Sequence, residues 1–170
     1  MEMQSRPFGQ MLTSLELNRT TQIDPVKTGR GAFHTIGSCW LNSVVSAFIA
    51  STGLRTAVDP FAGKGDMLNL VGSALSMGKV GYDIDKSAGW EVNDSLVSIP
   101  RRPGSICITN PPFLANYSAR RKSIWPLVGG YYERYGRNDL YEIALDKCLA
   151  SFEYVVAILP ETFLHSAYPK

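Results

Sequence analysis

Two short stretches of this chain carry residue types that could do chemistry together. The first is Asn110-Pro111-Pro112-Phe113. Its Asn110 side-chain carbonyl and Pro111 backbone carbonyl can accept the hydrogens of an amino group, Pro112 stiffens the platform, and Phe113 can stack on a flat ring. The second is Asp59-Pro60-Phe61-Ala62-Gly63-Lys64-Gly65. Gly63 and Gly65 free the backbone to turn tightly against a ligand, and the helix expected next offers its N-terminal N–H groups to a carboxylate. Asp83 follows Gly65 by 18 residues, at an expected strand end, where a carboxylate can accept both hydroxyls of a ribose; Asp85 is the neighbouring alternative. The loop is not the GxGxxG of dinucleotide-binding folds, nor a phosphate-binding P-loop, because Lys64 is followed by Gly65. A site that cradles a nucleotide-like cofactor beside one that grips an amine points to methyl transfer onto an exocyclic amine. Such a nitrogen is a poor nucleophile because its lone pair is delocalised into the ring. Two acceptors pulling on its hydrogens favour a tetrahedral nitrogen, a matter of positioning and electrostatics rather than of a perturbed acid or base.

These residues need a scaffold that delivers them to one place. The pattern predicts a helix from about Cys39 to Ser51 capped by Ser38, with Trp40, Val44, Val45, Phe48 and Ile49 on its buried side. A strand follows over 55–59, a helix over 66–77, a strand over 79–84, and a weak helix or loop over 88–92. Ser105 to Thr109 reads as a strand leading straight into Asn110. A long basic and aromatic loop then precedes a helix capped by Asp139, over 140–150, and a last strand over 154–159. Strands alternating with helices imply an α/β fold: a doubly wound, mostly parallel sheet of the Rossmann-like kind. Ligands in such sheets bind at the carboxyl ends of strands. Asp59, Asp83, Asp94 and Asn110 all fall at strand ends or the turns after them, so one shared site is expected.

The net charge of +2 hides a segregation. Residues 101–137 hold seven basic residues and one acid, a net +6, whereas the remainder holds ten basic and fourteen acidic residues. The same segment carries Phe113, Tyr117, Trp125, Tyr131, Tyr132 and Tyr135. Cations interleaved with aromatic rings suit a nucleic-acid surface, and Tyr117, Arg120, Arg121 and Lys122 are its expected contacts.

Taken in order, these motifs resemble the S-adenosylmethionine-dependent DNA adenine-N6 methyltransferases of restriction–modification systems. Asp59 to Gly65 resembles their DPFxGxG cofactor loop, and Gly81-Tyr82-Asp83-Ile84-Asp85 their ribose-binding strand end. Asn93-Asp94-Ser95-Leu96 is similar to their xDFL segment, whose Asp meets the cofactor's adenine amine; Ser95 stands where an aromatic is usual. Asn110 to Phe113 matches their catalytic motif. Residues 139–149 and 155–164 look like the following helix and strand. Gly31-Ala32-Phe33-His34-Thr35 resembles the G-x-(F/Y)-x-T-P segment that helps hold the methionine end, with Ile36 in place of proline. The resemblance spans residues 29 to about 164. It implies that S-adenosylmethionine is held by Phe33, Thr35, Asp59, Pro60, Phe61, Gly63, Gly65, Asp83, Ile84, Asp94, Ser95 and Asn110. It implies further that double-stranded DNA is the partner, that an adenine is flipped onto Phe113, and that attack on the methyl carbon is direct, with no covalent enzyme intermediate. Related enzymes acting on RNA guanine or protein glutamine usually read DxGxGxG in the cofactor loop, and cytosine-N4 enzymes more often place Ser before the prolines. A third reading is a cofactor-binding fragment or subunit that needs another polypeptide for activity.

The composition fits one globular domain, residues 29–170, behind an N-terminal arm over 1–28. Hydrophobic content is 45% and charged content 19%, which argues against disorder. The polar first thirty residues lack a signal-peptide h-region, and no apolar run is long enough to span a bilayer. Cys39, Cys107 and Cys148 are widely spaced, and His34 and His165 sit in no ligand cluster, so reduced thiols, a cytoplasmic location and no metal are expected, and the resemblance implies a bacterial or phage-encoded protein. The resemblance stops after the fifth strand. That strand is expected to leave one unpaired edge, to be covered by a second copy, a separate chain or a region absent from this sequence, with no target-recognition region present.

Overall fold

The computed structural model describes residues 38–165. Five strands form one all-parallel sheet: β1 (Thr56–Asp59), β2 (Gly78–Asp83), β3 (Glu91–Val92), β4 (Ile106–Thr109) and β5 (Val155–Ala157), in the order β3-β2-β1-β4-β5. The helices are α1 (Ser43–Ser51), α2 (Asp66–Leu75), α3 (Asn116–Arg121), α4 (Trp125–Tyr135) and α5 (Leu140–Ser151). The expected doubly wound α/β architecture is therefore present. From β1 the chain winds outward to β2 and β3, then returns to β4 on the other side of β1. The strand order thus reverses between β1 and β4, and the crevice at such a switch point is where ligands bind in open parallel sheets.

Both faces of the sheet are covered, which is why β1 and β4 read as continuous apolar runs rather than alternating ones. On one face Ala57, Ile106 and Ile108 pack with Met67, Leu68 and Val71 of α2 and Ile49 of α1. On the other, Val58 and Cys107 pack with Cys148 of α5 and with Tyr82 and Phe152. A third cluster, built by Leu96, Leu114, Ala119, Tyr132, Leu140, Ile143 and Ala144, docks α3, α4 and α5 together beyond the end of β4.

Four sequence expectations change. Helix α1 starts later than expected because Asn42, not Ser38, caps it: the Asn42 Oδ1 accepts from the N–H groups of Val44 and Val45, both at 3.0 Å. Only Ile49 of this helix is fully buried, and Val44 and Phe48 are exposed. The 88–92 segment holds β3, which pairs in parallel with β2 at Tyr82↔Glu91; two residues are too few to leave a periodic signal. The basic and aromatic stretch is not a loop. It folds into α3 and α4, with Pro126 in the first turn of α4, where its missing N–H matters least, and Gly129 lying against the Trp125 ring. A Cβ on Gly129 would sit 2.6 Å from Trp125, so that glycine is a packing requirement and not a helix stop. Helix α5 forms as expected, with Asp139 and Glu142 in a reciprocal capping box. Strand β5 is the outer strand beside β4 among the described residues, as expected. No helix among these residues is long and apolar enough to cross a membrane.

Candidate functional site

The carboxyl ends of β1, β2 and β4 open onto a cleft of about 1090 Å³. Asp59, Pro60, Phe61 and Gly63 line it from β1 and its loop, Asp83 and Ile84 from β2, Asp94 and Ser95 from the segment after β3, and Asn110 and Pro112 from β4. Nine sequence-expected cofactor residues and part of the proline motif thus meet at one wall, while Gly65 lies buried behind the loop. Phe33 and Thr35 fall outside the described residues.

Backbone bonds hold the glycine loop in shape. The Ala62 N–H donates to the Tyr82 carbonyl (2.9 Å), and the Gly63 N–H donates to Asp83 Oδ2 (2.7 Å). The other Asp83 oxygen accepts from the Asp85 N–H at 2.8 Å. Asp83 therefore fastens the loop to the end of β2 and keeps further lone pairs for a ligand, since a carboxylate has about four acceptor positions. Gly63 and Gly65 adopt φ of 52° and 81°, the left-handed region that favours glycine. Trp90, absent from the sequence reading, braces this loop from behind: its Nε1 donates to the Gly63 carbonyl at 3.1 Å. A Cβ on Gly65 or Gly81 would lie 2.6 or 2.4 Å from the Trp90 ring. Both glycines are thus small because Trp90 fills the space beside them.

Asp59 sits at the switch point itself and is only 2% exposed. Its Oδ1 accepts from Thr109 Oγ1 at 2.6 Å and from the Phe61 N–H at 3.0 Å, tying β1 to β4 across the reversal. Burial pushes its carboxyl up to about 7, against the two hydrogen bonds, with the nearby Asp83 charge adding to the rise. A carboxylate held in this way favours a cationic neighbour.

Residue by residue, the amine-gripping motif divides. Asn110 and Pro112 line the cleft, whereas Pro111 is fully buried, and so is the Oδ1 atom of Asn110. Phe113 is not at the cleft wall. Its ring packs on Tyr141 (centroids 6.0 Å apart), which in turn meets Phe163 edge-on at 6.2 Å. The exit from the motif is clamped at Leu114: its N–H donates to Asp139 Oδ1 (2.9 Å), and its carbonyl accepts from the Tyr132 hydroxyl (2.7 Å). Asp139 thus serves both α5 and the motif, a double role that its capping signal did not reveal.

Helix α4 adds Leu127, Val128 and Tyr131 to the lining, with Ile124 just before the helix. Their helical spacing is visible in the sequence, but Pro126, Gly129 and Gly130 disguise it as loop. Several basic and aromatic side chains of the +6 segment are engaged within the fold. Trp125 stacks on Tyr132 (5.5 Å, 8°) with Arg120 over its ring at 3.5 Å. Arg102 donates to the Tyr82 hydroxyl and Arg137 pairs with Asp146 through two bonds. Tyr117, Arg120, Arg121 and Lys122 remain exposed along α3 and its C-terminus. The +6 segment is therefore a smaller basic surface than its charge suggests, centred on that turn. Among the described residues no cluster of three or more His, Cys, Asp or Glu side chains could hold a metal ion.

No protein-family model matches the chain, and it has no significant match among curated proteins.

Proposed function

We propose that this chain is an S-adenosylmethionine-dependent amino-methyltransferase acting on the N6 amine of adenine in double-stranded DNA, of the restriction–modification type. The observation that supports it best is the meeting of the Asp59–Gly65 loop, Asp83, Asp94 and Asn110 around one cleft at the sheet's switch point. The donor set fits the cofactor. Asp83 retains lone pairs for ribose hydroxyls, Asp94 is an acceptor for an adenine amine, and the Asp59 carboxylate favours the cationic end. When bound, S-adenosylmethionine supplies an electrophilic methyl group on a sulfonium. The chain's own task is to hold the target nitrogen. The Asn110 and Pro111 carbonyls accept its two hydrogens and so free its lone pair for attack. Because Asn110 Oδ1 and Pro111 are both buried, both carbonyls must turn toward the cleft for this step, a tightening common when a substrate completes its site.

A second reading is favoured by one observation. Phe113 is packed on Tyr141 rather than lining the cleft, so the target half of the site is less open than the cofactor half. On this reading the chain binds the cofactor and another polypeptide completes the target pocket.

The test is transfer of a tritiated methyl group from S-adenosylmethionine to unmethylated genomic DNA, followed by nucleoside analysis. The first reading expects label in N6-methyladenine, lost in Asn110→Ala while calorimetry still detects cofactor binding. Cofactor binding without transfer to DNA selects the second reading. Label in N4-methylcytosine rejects the assigned target, and so does transfer to RNA or to protein glutamine in parallel assays in which DNA takes up none.

A further inference from the structure

Asp94 carries more than the sequence assigns to it. Its Oδ1 accepts from the Leu96 N–H at 3.2 Å, and its Oδ2 accepts from the Tyr131 hydroxyl at 2.7 Å. Tyr131 belongs to α4, which lines the same cleft as Ile84. Helix α4 is also anchored to the same segment through the Tyr135 hydroxyl, which reaches the Val97 carbonyl at 3.5 Å. Burial, and then the bond to Asp94, push the Tyr131 phenol up to about 12, so it remains a proton donor at any working pH. Asp94 must then be the acceptor.

The other side of Asp94 explains why this bond matters. Ser95 is 3% exposed, and its hydroxyl accepts from Asn93 Nδ2 at 2.9 Å. It is too small and too buried to form the flat wall of a ring-binding slot. The apolar surface comes instead from Ile84 and Leu127, which line the cleft yet are 65% and 71% exposed. A flat ligand in the cleft can cover such exposed apolar surface.

We propose that Tyr131 is a positioning residue for the purine end of the cleft: its hydroxyl fixes the Asp94 carboxylate so that the remaining acceptor positions meet a 6-amino edge, and its ring closes the wall that Ser95 leaves open. This inference rests on the reading of the cleft as a cofactor site. A carboxylate with two of about four acceptor positions engaged has the others in fixed directions, whereas a carboxylate free to turn has none. A fixed acceptor rewards an amine and rejects a carbonyl in the same place, because the mismatched pair leaves a buried acceptor facing another acceptor. Tyr131 therefore governs which purine is bound, without touching the reacting atoms.

The experiment is calorimetric titration of the full chain with S-adenosylhomocysteine and with its deaminated analogue S-inosylhomocysteine. Wild type should prefer the adenosyl ligand by roughly thirtyfold or more, the range of a charge-assisted hydrogen bond. Tyr131→Phe keeps the ring, removes the hydroxyl, and should shrink that preference by roughly tenfold, mostly by weakening the adenosyl ligand. Asp94→Asn should shrink it similarly, because an amide can turn either face to the purine, and adding Tyr131→Phe should then change little. A Tyr131→Phe protein that keeps the full preference overturns the proposal. So does one that binds both ligands more tightly, since the hydroxyl would then be a competitor for Asp94. Wild type that binds neither ligand overturns the cofactor reading itself, and the inference with it. The Asp94→Asn comparison decides the matter if Tyr131→Phe does not fold: unchanged preference there also overturns it.

Discussion

The buried Asp59 makes a prediction that depends on no ligand. Its carboxyl lies 2% exposed, with the bonds from Thr109 Oγ1 and the Phe61 N–H both ending on Oδ1, and burial raises its pKa from 3.8 to about 7 in the fold. Between those two values the folded state holds a proton that the unfolded state releases. Folding stability from this group is therefore greatest at acid pH and declines as pH rises towards 7. Integrated from pH 5 to pH 8, the loss is roughly 2–3 kcal/mol, at 1.36 kcal/mol per pH unit over nearly two units. Asp59→Asn removes the titration but keeps an oxygen for Thr109 Oγ1 and the Phe61 N–H. Urea unfolding of both proteins at pH 5, 6, 7 and 8 should show the variant gaining on wild type by roughly 2–3 kcal/mol across the series, with unchanged slopes. A stability difference that is flat with pH would refute the reasoning, because Asp59 would then ionise as freely in the fold as in the open chain. The group's position has a second consequence. A cation arriving beside Asp59 favours the charged form, so binding of the proposed cationic cofactor should release a proton near pH 7, visible as a buffer-dependent calorimetric enthalpy.

Three further outcomes follow from named contacts. Gly81→Ala places a methyl 2.4 Å from the Trp90 ring and should destabilise by roughly 1–3 kcal/mol, read by urea denaturation; Trp90→Phe in the same chain should recover part of that loss. Asp83→Ala removes acceptors for the Gly63 and Asp85 N–H groups, so it should weaken cofactor affinity by a factor equivalent to roughly 1–3 kcal/mol, and calorimetry on a folded variant with wild-type affinity would transfer the ribose role to Asp85. Replacing Arg120, Arg121 and Lys122 by Ala should reduce the dependence of DNA binding on log salt by up to about three charges, measured by fluorescence anisotropy; an unchanged slope would remove α3 from the DNA surface.

What the sequence by itself determined is the local and the strand-bound. Short strand-like segments at 55–59, 79–84, 105–109 and 154–159 marked β1, β2, β4 and β5, and Asp139 as a cap marked the start of α5. Because the strands are parallel, their ends lie on one edge, and the clustering of Asp59, Asp83, Asp94 and Asn110 could be read from position alone. Only the tertiary structure decided how those residues are engaged. That Asp59 bonds Thr109, fifty residues away, depends on which strand lies beside β1, and strand order leaves no trace in local pattern. That Gly65 and Gly81 face Trp90 depends on a side chain arriving from a segment too short to register as a strand. The basic and aromatic stretch reads as a loop in the sequence because Pro126, Gly129 and Gly130 break helices when taken singly. In the fold, Pro126 lies in a first turn and Gly129 makes room for Trp125. The helix they permit brings Tyr131 to Asp94, thirty-seven residues apart, and long-range side-chain pairs of that kind are set by packing rather than by propensity.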